Sequence, residues 1–228
     1  MDTGVFIISA PSGSGKTTLV ERLLREVPKL LFSVSYTTRP PRGLEQNGRE
    51  YCFVTRQEFE EMIRRNELLE WAVVFGNYYG TARHFLDDAR KASQDLVLDI
   101  DVQGAVQVRQ KIPDAVSIFI LPPSRKTLEW RLRHRSQDSE ETILKRLRDA
   151  GREIHGYDRY DYILINDQLD ISSERLKAIV LAERLRRQER SAGAGSRDAD
   201  ESTRVLAESC RKERVQTQVE PILASFGG

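Results

Sequence analysis

Cysteine, histidine and long apolar runs are scarce in this 228-residue chain. The two cysteines, Cys52 and Cys210, lie far apart and show no metal-ligand spacing. That excludes a disulfide framework or a cysteine-rich metal site, and predicts reduced thiols in a cytoplasmic protein. The three histidines, His84, His134 and His155, show no ligand spacing either and read as structural or surface residues. No apolar run approaches the ~20 residues that span a bilayer. Met1-Asp2-Thr3-Gly4 leads straight into a strand-like run with no basic region before it, so no secretory signal is expected. Bulk charge is also missing. Lys and Arg total 36 against 35 Asp and Glu, a formal net charge of +1, which gives no electrostatic case for nucleic acid or an anionic membrane. Internal repeats are absent. A hydrophobic share of 39% with 31% charged residues describes a globular protein with a well-charged surface.

What is present begins near the N-terminus. The apolar run Val5-Phe6-Ile7-Ile8 is followed by Ala10-Pro11-Ser12-Gly13-Ser14-Gly15-Lys16-Thr17, then by Leu19, Val20, Leu23 and Leu24 at helical spacing. Strand, glycine-rich turn and helix N-terminus in that order make a phosphate cradle, because backbone N–H groups turn inward around an anion. Lys16 can reach the outer phosphates of a nucleotide and the Thr17 hydroxyl can ligate Mg²⁺. Ala10 stands where such loops usually carry glycine, and it would be strained there only if the backbone needed a positive φ. The bland alternative is an ordinary turn before a helix.

A second set of polar residues follows. Ser33-Val34-Ser35-Tyr36-Thr37-Thr38-Arg39-Pro40-Pro41-Arg42 sets two guanidinium forks beside a hydroxyl-rich strand, and Asn47-Gly48-Arg49-Glu50-Tyr51-Cys52-Phe53, Glu70-Trp71 and Gly76-Asn77-Tyr78-Tyr79-Gly80-Thr81 add phenols, hydroxyls and a carboxylate. Two planar forks with nearby phenols suit a second phosphate. Glu70 beside hydroxyls suits a base edge with two adjacent donors. Guanine offers N1–H and N2–H₂ there; adenine has no N1–H.

In these motifs the chain resembles the guanylate kinases of the nucleoside-monophosphate kinase class, over about residues 4–185. The phosphate loop, Ser-Val-Ser-x-Thr-Thr-Arg, Asn-Gly-x-x-Tyr-x-Phe, Asn-Tyr-Tyr-Gly-Thr, Leu98-Asp99-Ile100-Asp101-Val102-Gln103-Gly104, Arg-Leu-x-x-Arg at 131–135 and Ile165-Asn166-Asp167 carry the likeness by their order and spacing together. The resemblance implies phosphorylation of GMP, and of dGMP, by ATP with Mg²⁺. It implies ATP contacts from Ala10 through Thr17 and from Asn166 near the adenine. GMP contacts fall to Ser35, Arg39, Arg42, Tyr51, Glu70, Tyr79, Thr81 and Asp101. Lys16, Arg42, Arg135 and Arg146 are the catalytic residues it implies, with Thr17 on Mg²⁺ and Asp99 on the metal through water. The alternatives are a solvated arginine face paired with Glu129, Glu140 and Glu141, an Asp99 or Asp101 that only caps a helix, and half-buried sheet tyrosines. Trp71 and Phe75 read as core. Two other functions compete with the enzyme. A guanylate-kinase-like protein-binding module would lack the working phosphate loop, and a ribose-phosphate kinase would have no use for a guanine-reading edge.

Apolar strand-length runs at 5–9, 95–100, 115–121 and 161–165, separated by helical stretches, predict an α/β fold with a parallel sheet covered by helices on both faces; the resemblance implies that this is a P-loop kinase core. The expected core is 4–33, 82–123 and 158–185. A small inserted subdomain is expected at 34–81, with one helix near 56–65 opened by a Thr55/Glu58 capping box; the resemblance implies that it binds the monophosphate. A helical lid is expected at 124–157, where Ser124 and Ser139 would cap two helices around a turn holding Ser136. A last helix from about 171 to 190 precedes Ser191-Ala192-Gly193-Ala194-Gly195-Ser196, a linker-like composition. Residues 186–228 read as a polar extension with a short helix possible around 201–212; the tail after about 190 is predicted to be loosely attached and dispensable for catalysis, with Val205, Leu206, Ile222 and Leu223 leaving room for a docking helix or an oligomer contact. Small-molecule substrates are the expected partners; whether the chain is a monomer or a homo-oligomer is not set by the sequence.

Overall fold

The computed structural model describes residues 3–227 apart from 75, 136–138 and 193–200. In chain order the elements are β1 (Val5–Ser9), α1 (Lys16–Glu26), β2 (Leu30–Phe32), β3 (Tyr36–Thr37), β4 (Cys52–Phe53), α2 (Arg56–Arg64), β5 (Leu68–Val74), β6 (Asn77–Ala82) and α3 (His84–Ala92). They continue with β7 (Asp95–Asp99), α4 (Val102–Lys111), β8 (Val116–Leu121), α5 (Arg125–Arg135), α6 (Glu140–Ile154), a 3₁₀ turn (Tyr157–Arg159), β9 (Tyr162–Ile165), α7 (Leu169–Ala192), α8 (Glu201–Glu208) and α9 (Lys212–Phe226). This is an α/β fold. Its five-stranded sheet has the order β2-β7-β1-β8-β9 among the described residues, with β2 parallel to β7 and β8 parallel to β9. The four strands at the expected apolar runs are apolar apart from Ser9, Asp95, Asp99 and Ser117, and nearly all of their residues are buried, as in strands covered on both faces.

Residues 1–7 and 29–115 make one compact unit. It contains a four-stranded sheet of order β4-β3-β6-β5. One face of that sheet is packed by α2, where Phe59, Leu68 and Ala82 are buried and Phe59 stacks on Tyr78. The capping box that opens α2 is formed: Glu58 N donates to Thr55 Oγ1 at 3.2 Å and Thr55 N donates to Glu58 Oε2 at 2.7 Å. Gly80 points at Phe59, so its strand neighbours Tyr79 and Thr81 project from the other face.

Residues 8–28 and 116–228 make the other unit. It holds the phosphate loop, α1, the α5–α6 pair and the C-terminal helices. Ser124 and Ser139 cap as expected, accepting from Thr127 N at 3.1 Å and Thr142 N at 3.3 Å. Leu128, Leu132, Ile143, Leu147 and Ala150 form the core between α5 and α6.

The C-terminal segment corrects the sequence reading. Residues 201–226, expected as a loosely attached polar extension, form α8, a turn and α9; Ala207 on α8, Cys210 in the turn, and Val215, Val219 and Ile222 on α9 are buried. On α9 the spacing of Val215, Val219 and Ile222 makes an apolar stripe, which the low average hydrophobicity of the segment obscured. Ile163 N donates to Cys210 O at 2.8 Å, and an antiparallel bridge pairs Tyr162 with Arg211, so the segment extends the edge of β9. Beyond it, Phe226 packs on the α5–α6 core and Arg125 N donates to Ser225 Oγ at 3.1 Å. Glu183, buried on α7, accepts from Tyr162 Oη at 2.5 Å, Arg186 at 2.7 Å and Arg211 at 2.9 Å, and burial with this carboxylate raises the Tyr162 pKa. Arg204 also pairs with Glu189. Trp71 corrects a second expectation: it is 36% exposed rather than core. Phe75 lies outside the described residues.

Candidate active site

The phosphate loop runs from β1 to α1. Gly13 and Gly15 both take φ +92°, and a Cβ on Gly15 would lie 2.4 Å from Asn166 Nδ2. Ala10 is not among the positive-φ residues, which is why alanine serves there. Gly15 opens α1 without a side-chain cap, and the first turn of α1 carries no acidic residue. The N–H donors and the positive end of the helix dipole therefore face the loop. Lys16 and Thr17 are the first two helical residues, and Thr17 is exposed.

Three long-range side chains brace this loop. Asn166 Nδ2 donates to Ser14 O at 2.7 Å. Arg131 donates to Ser14 O at 3.4 Å and to Asn166 O at 2.9 Å. Arg146 donates to Ser12 Oγ at 2.7 Å. The arginines of the α5–α6 pair thus divide in two. Arg131 and Arg146 reach the loop, while Arg133 takes the solvated role, paired with Glu129 and Glu140. Arg131 was not among the expected ligands; its spacing of four from Arg135 was the available signal. Arg135 closes α5, and its side chain and Ser136 lie outside the described residues.

In the other unit, Arg39 is buried to 7% exposure. Its guanidinium makes a two-pronged pair with Glu45 at 2.9 and 3.0 Å, donates from Nε to Tyr79 Oη at 3.2 Å, and lies 5.3 Å from the Tyr51 ring centroid. Tyr51 and Tyr79 meet edge to face at 5.9 Å. Glu45 also accepts from Arg42 N at 2.7 Å, and the Arg39 hydrogen bonds hold the Glu45 carboxyl below the usual range. Three of the four expected phosphate ligands are thus together, and the exposed Arg42 is two residues from Pro40, whose carbonyl Arg39 also contacts at 2.7 Å.

Glu70 pairs in register with Thr81, and Thr81 Oγ1 donates to Glu70 Oε1 at 2.8 Å. Only 3% of Glu70 is exposed. Burial pushes its pKa to about 7, against the hydrogen bond from Thr81, which lowers it; Asp101 raises it further and Lys111 opposes. Asp101 caps α4, accepting from Gly104 N at 2.8 Å, so the capping alternative for this residue is realised beside the Glu70 carboxylate. Asp99 ends β7 and Ser35 precedes β3, its carbonyl accepting from Cys52 N at 2.9 Å.

One unit thus carries a braced glycine-rich loop at a helix N-terminus, and the other an arginine–tyrosine cluster and a buried carboxylate. The family model described as Guanylate kinase matches residues 3–183. The chain belongs to the guanylate kinase family. A guanylate kinase of Koribacter versatilis (strain Ellin345) is 53% identical over 231 residues, 99% of this chain and 97% of that protein. The guanylate kinase of Escherichia coli (strain K12) is 52% identical over 184 residues, 80% of this chain and 89% of its own. The crystal structure of guanylate kinase from Anaplasma phagocytophilum superposes with a TM-score of 0.65 at 32% identity, covering 85% of this chain and 97% of that one. Within the guanylate kinase family, then, the C-terminal helices of this chain fall beyond the matched family segment, and the Koribacter relative aligns through them. No helix among the described residues is long and apolar enough to cross a membrane.

Proposed function

We propose that the chain transfers the γ-phosphoryl group of ATP to GMP, and to dGMP, giving ADP and the nucleoside diphosphate, in the cytoplasmic recycling of purine nucleotides. The single observation that carries this reading is Glu70: a carboxylate buried to 3% exposure, oriented by Thr81, on a sheet face that also bears Tyr79. Ionised, it accepts both donors of the guanine edge. An adenine, lacking N1–H, would leave the carboxylate partly unpaired, and an unpaired buried charge is costly.

The remaining roles follow from charge. Phosphoryl transfer asks for in-line positioning and neutralisation of the equatorial oxygens. Apart from Pro11, which has no N–H, the loop from Ala10 to Gly15 offers backbone donors to the ATP phosphates, Lys16 a point charge, and Arg146 and Arg135 further cations. Asn166 supports the reading by fixing the Ser14 carbonyl, which holds the loop in shape. Arg39, Arg42, Tyr51 and Tyr79 take the GMP phosphate; Glu45, now on Arg39, is the carboxylate that a phosphate would replace. Ser35, Thr81 and Asp101 complete the base site. Among the described residues no cluster of three or more His, Cys, Asp or Glu could hold a metal ion by itself. That fits Mg²⁺, which keeps several waters and rides on substrate phosphates with one or two protein oxygens. Thr17, an exposed residue, would offer its hydroxyl to the ion, and Asp99 would hold it through water. Bound there, the ion would neutralise charge on the phosphates.

The test is a coupled ADP-release assay with ATP and a panel of GMP, dGMP, AMP, CMP, UMP and ribose 5-phosphate. Turnover with GMP and dGMP well above the others is the expected result. Turnover with the sugar phosphate, or none with any acceptor, would replace this reading with one of its competitors.

A further inference from the structure

β5 is an edge strand of the four-stranded sheet, and it carries Glu70. The pairing of β5 with β6 slips between Leu68 and Glu70, which makes Leu69 an extra residue in the ladder. An edge with a bulge beside a buried carboxylate is a poor place to hold a side chain firmly. Helix α4 packs along this edge and supplies what the missing strand would have. Gln107 makes a two-pronged amide contact with Trp71: Trp71 N donates to Oε1 at 3.2 Å, and Nε2 donates to Trp71 O at 2.7 Å. Lys111 Nζ donates to Leu69 O, the bulged carbonyl, at 2.5 Å. Between these two, Glu70 leans on Gly104, where a Cβ would lie 2.5 Å from Oε2 and 2.9 Å from Cδ. Positions 104, 107 and 111 fall on one face of a helix. Residues 69, 70 and 71 are thus each met by one of them.

We propose that Gly104, Gln107 and Lys111 form a positioning clamp that fixes Glu70 as the base-reading carboxylate. The proposal rests on the guanine reading of Glu70. None of the three touches the base; each acts through β5. Gln107 stands in for a neighbouring strand and sets the height of the Glu70 backbone. Gly104 leaves the space in which Oε2 sits. Lys111 adds positive charge near Glu70, opposed by Asp101 at the start of the same helix, while Thr81 on β6 donates from the opposite side. Arg83 in turn faces Lys111 and lowers its proton affinity, behind the larger effect of desolvation.

Three variants separate the roles: Gly104→Ala, Gln107→Leu and Lys111→Met, with Lys111→Arg as the conservative rescue. Each is measured as full chain by carbon-13 titration of the Glu70 carboxyl without ligand, by GMP calorimetry across pH, and by KM for ATP. Gly104→Ala should weaken GMP binding by about 10²-fold, the scale of a displacement near 1 Å. Its melting temperature should not fall, since alanine is the better helix former. Gln107→Leu should weaken GMP about tenfold, the scale of one lost polar contact, by the same factor at every pH. Lys111→Met should move the Glu70 midpoint upward and weaken GMP mainly below that midpoint, and Lys111→Arg should restore both. KM for ATP should not change in any of them. GMP affinity unchanged in Gly104→Ala and Gln107→Leu, with the Glu70 midpoint unmoved by Lys111→Met, would overturn the clamp. If the variants shift the carboxyl titration while the wild-type chain binds no GMP, the clamp stands and the guanine reading fails.

Discussion

Ile222 on α9 is 4% exposed, in a segment that composition alone would leave unpacked. Replacing it with alanine removes three buried carbons from a helix that meets α5, α6 and β9. Buried isoleucine-to-alanine changes cost about 2–5 kcal/mol when the cavity does not collapse. α9 is an outer helix and can relax, so the lower half, about 2–3 kcal/mol, is expected here. For a chain of this size about 1 kcal/mol corresponds to a 2–4 °C change in melting temperature, so the melt should fall by roughly 4–12 °C. Because a terminal helix can open below the global transition, native-state hydrogen exchange should accompany the melt. The α9 amides should lose protection, and the α5 amides near Arg125 should follow, since Ser225 caps that end. A peripheral substitution without such packing changes stability by no more than about 0.5 kcal/mol. A melt shifted by that little, with α9 exchange unchanged, would refute the packed assignment of residues 201–226 and restore the loose extension.

Lys16→Ala should lower kcat by about 10²–10³ with an unchanged melt, the usual loss for one preorganised electrostatic contact; a folded variant turning over normally would remove Lys16 from the phosphate site. Gly15→Ala, forced to φ +92° with its Cβ against Asn166, should abolish ATP binding measured by calorimetry while leaving GMP binding in place. Glu70 takes up its proton more readily in the folded chain than in the unfolded one, at about 7 rather than 4.5. Its contribution to stability is therefore fully present at acid pH and lost as pH rises through that window. Urea unfolding from pH 5 to pH 8 should show this loss in the ligand-free wild type and not in Glu70→Gln. On the proposed base-reading role of Glu70, GMP should bind about tenfold more weakly for each pH unit below that midpoint.

Local features were legible in the sequence and distant ones were not. The phosphate loop is a matter of eight consecutive residues whose backbone needs are visible as glycines, and the α2 capping box spans Thr55 to Glu58. Strands buried on both faces announce themselves as apolar runs. The Arg131 contact joins residues 117 apart in sequence and the Gln107 contact residues 36 apart, so the partner of neither can be read from the local sequence. Asp101 was weighed as either a cap or a ligand; it caps α4 while its charge is felt at Glu70. Trp71 was misjudged because a large aromatic on an edge strand can cover a neighbour, here Tyr78 at 5.7 Å, and still face solvent. The C-terminal helices were only partly legible: Val205, Leu206, Ile222 and Leu223 left room for a docking helix, but the low average hydrophobicity of the segment weighed against it. Five buried side chains spread over residues 207–222 suffice to dock them, and Pro221 within α9 reads locally as a helix breaker.

The central claim is that Glu70 makes this member of the guanylate kinase family read guanine. Its most direct test is the ratio of kcat/KM for GMP to that for AMP, in the wild-type chain and in Glu70→Gln. A buried site built on hydrogen bonds can discriminate by about 10⁴–10⁵, and the wild-type ratio should approach that range. In Glu70→Gln the amide NH₂ would oppose the guanine donors, and the ratio should collapse through loss of GMP activity with KM for ATP unchanged. A ratio that the substitution leaves intact, or that falls only because ATP use falls equally, would contradict the account.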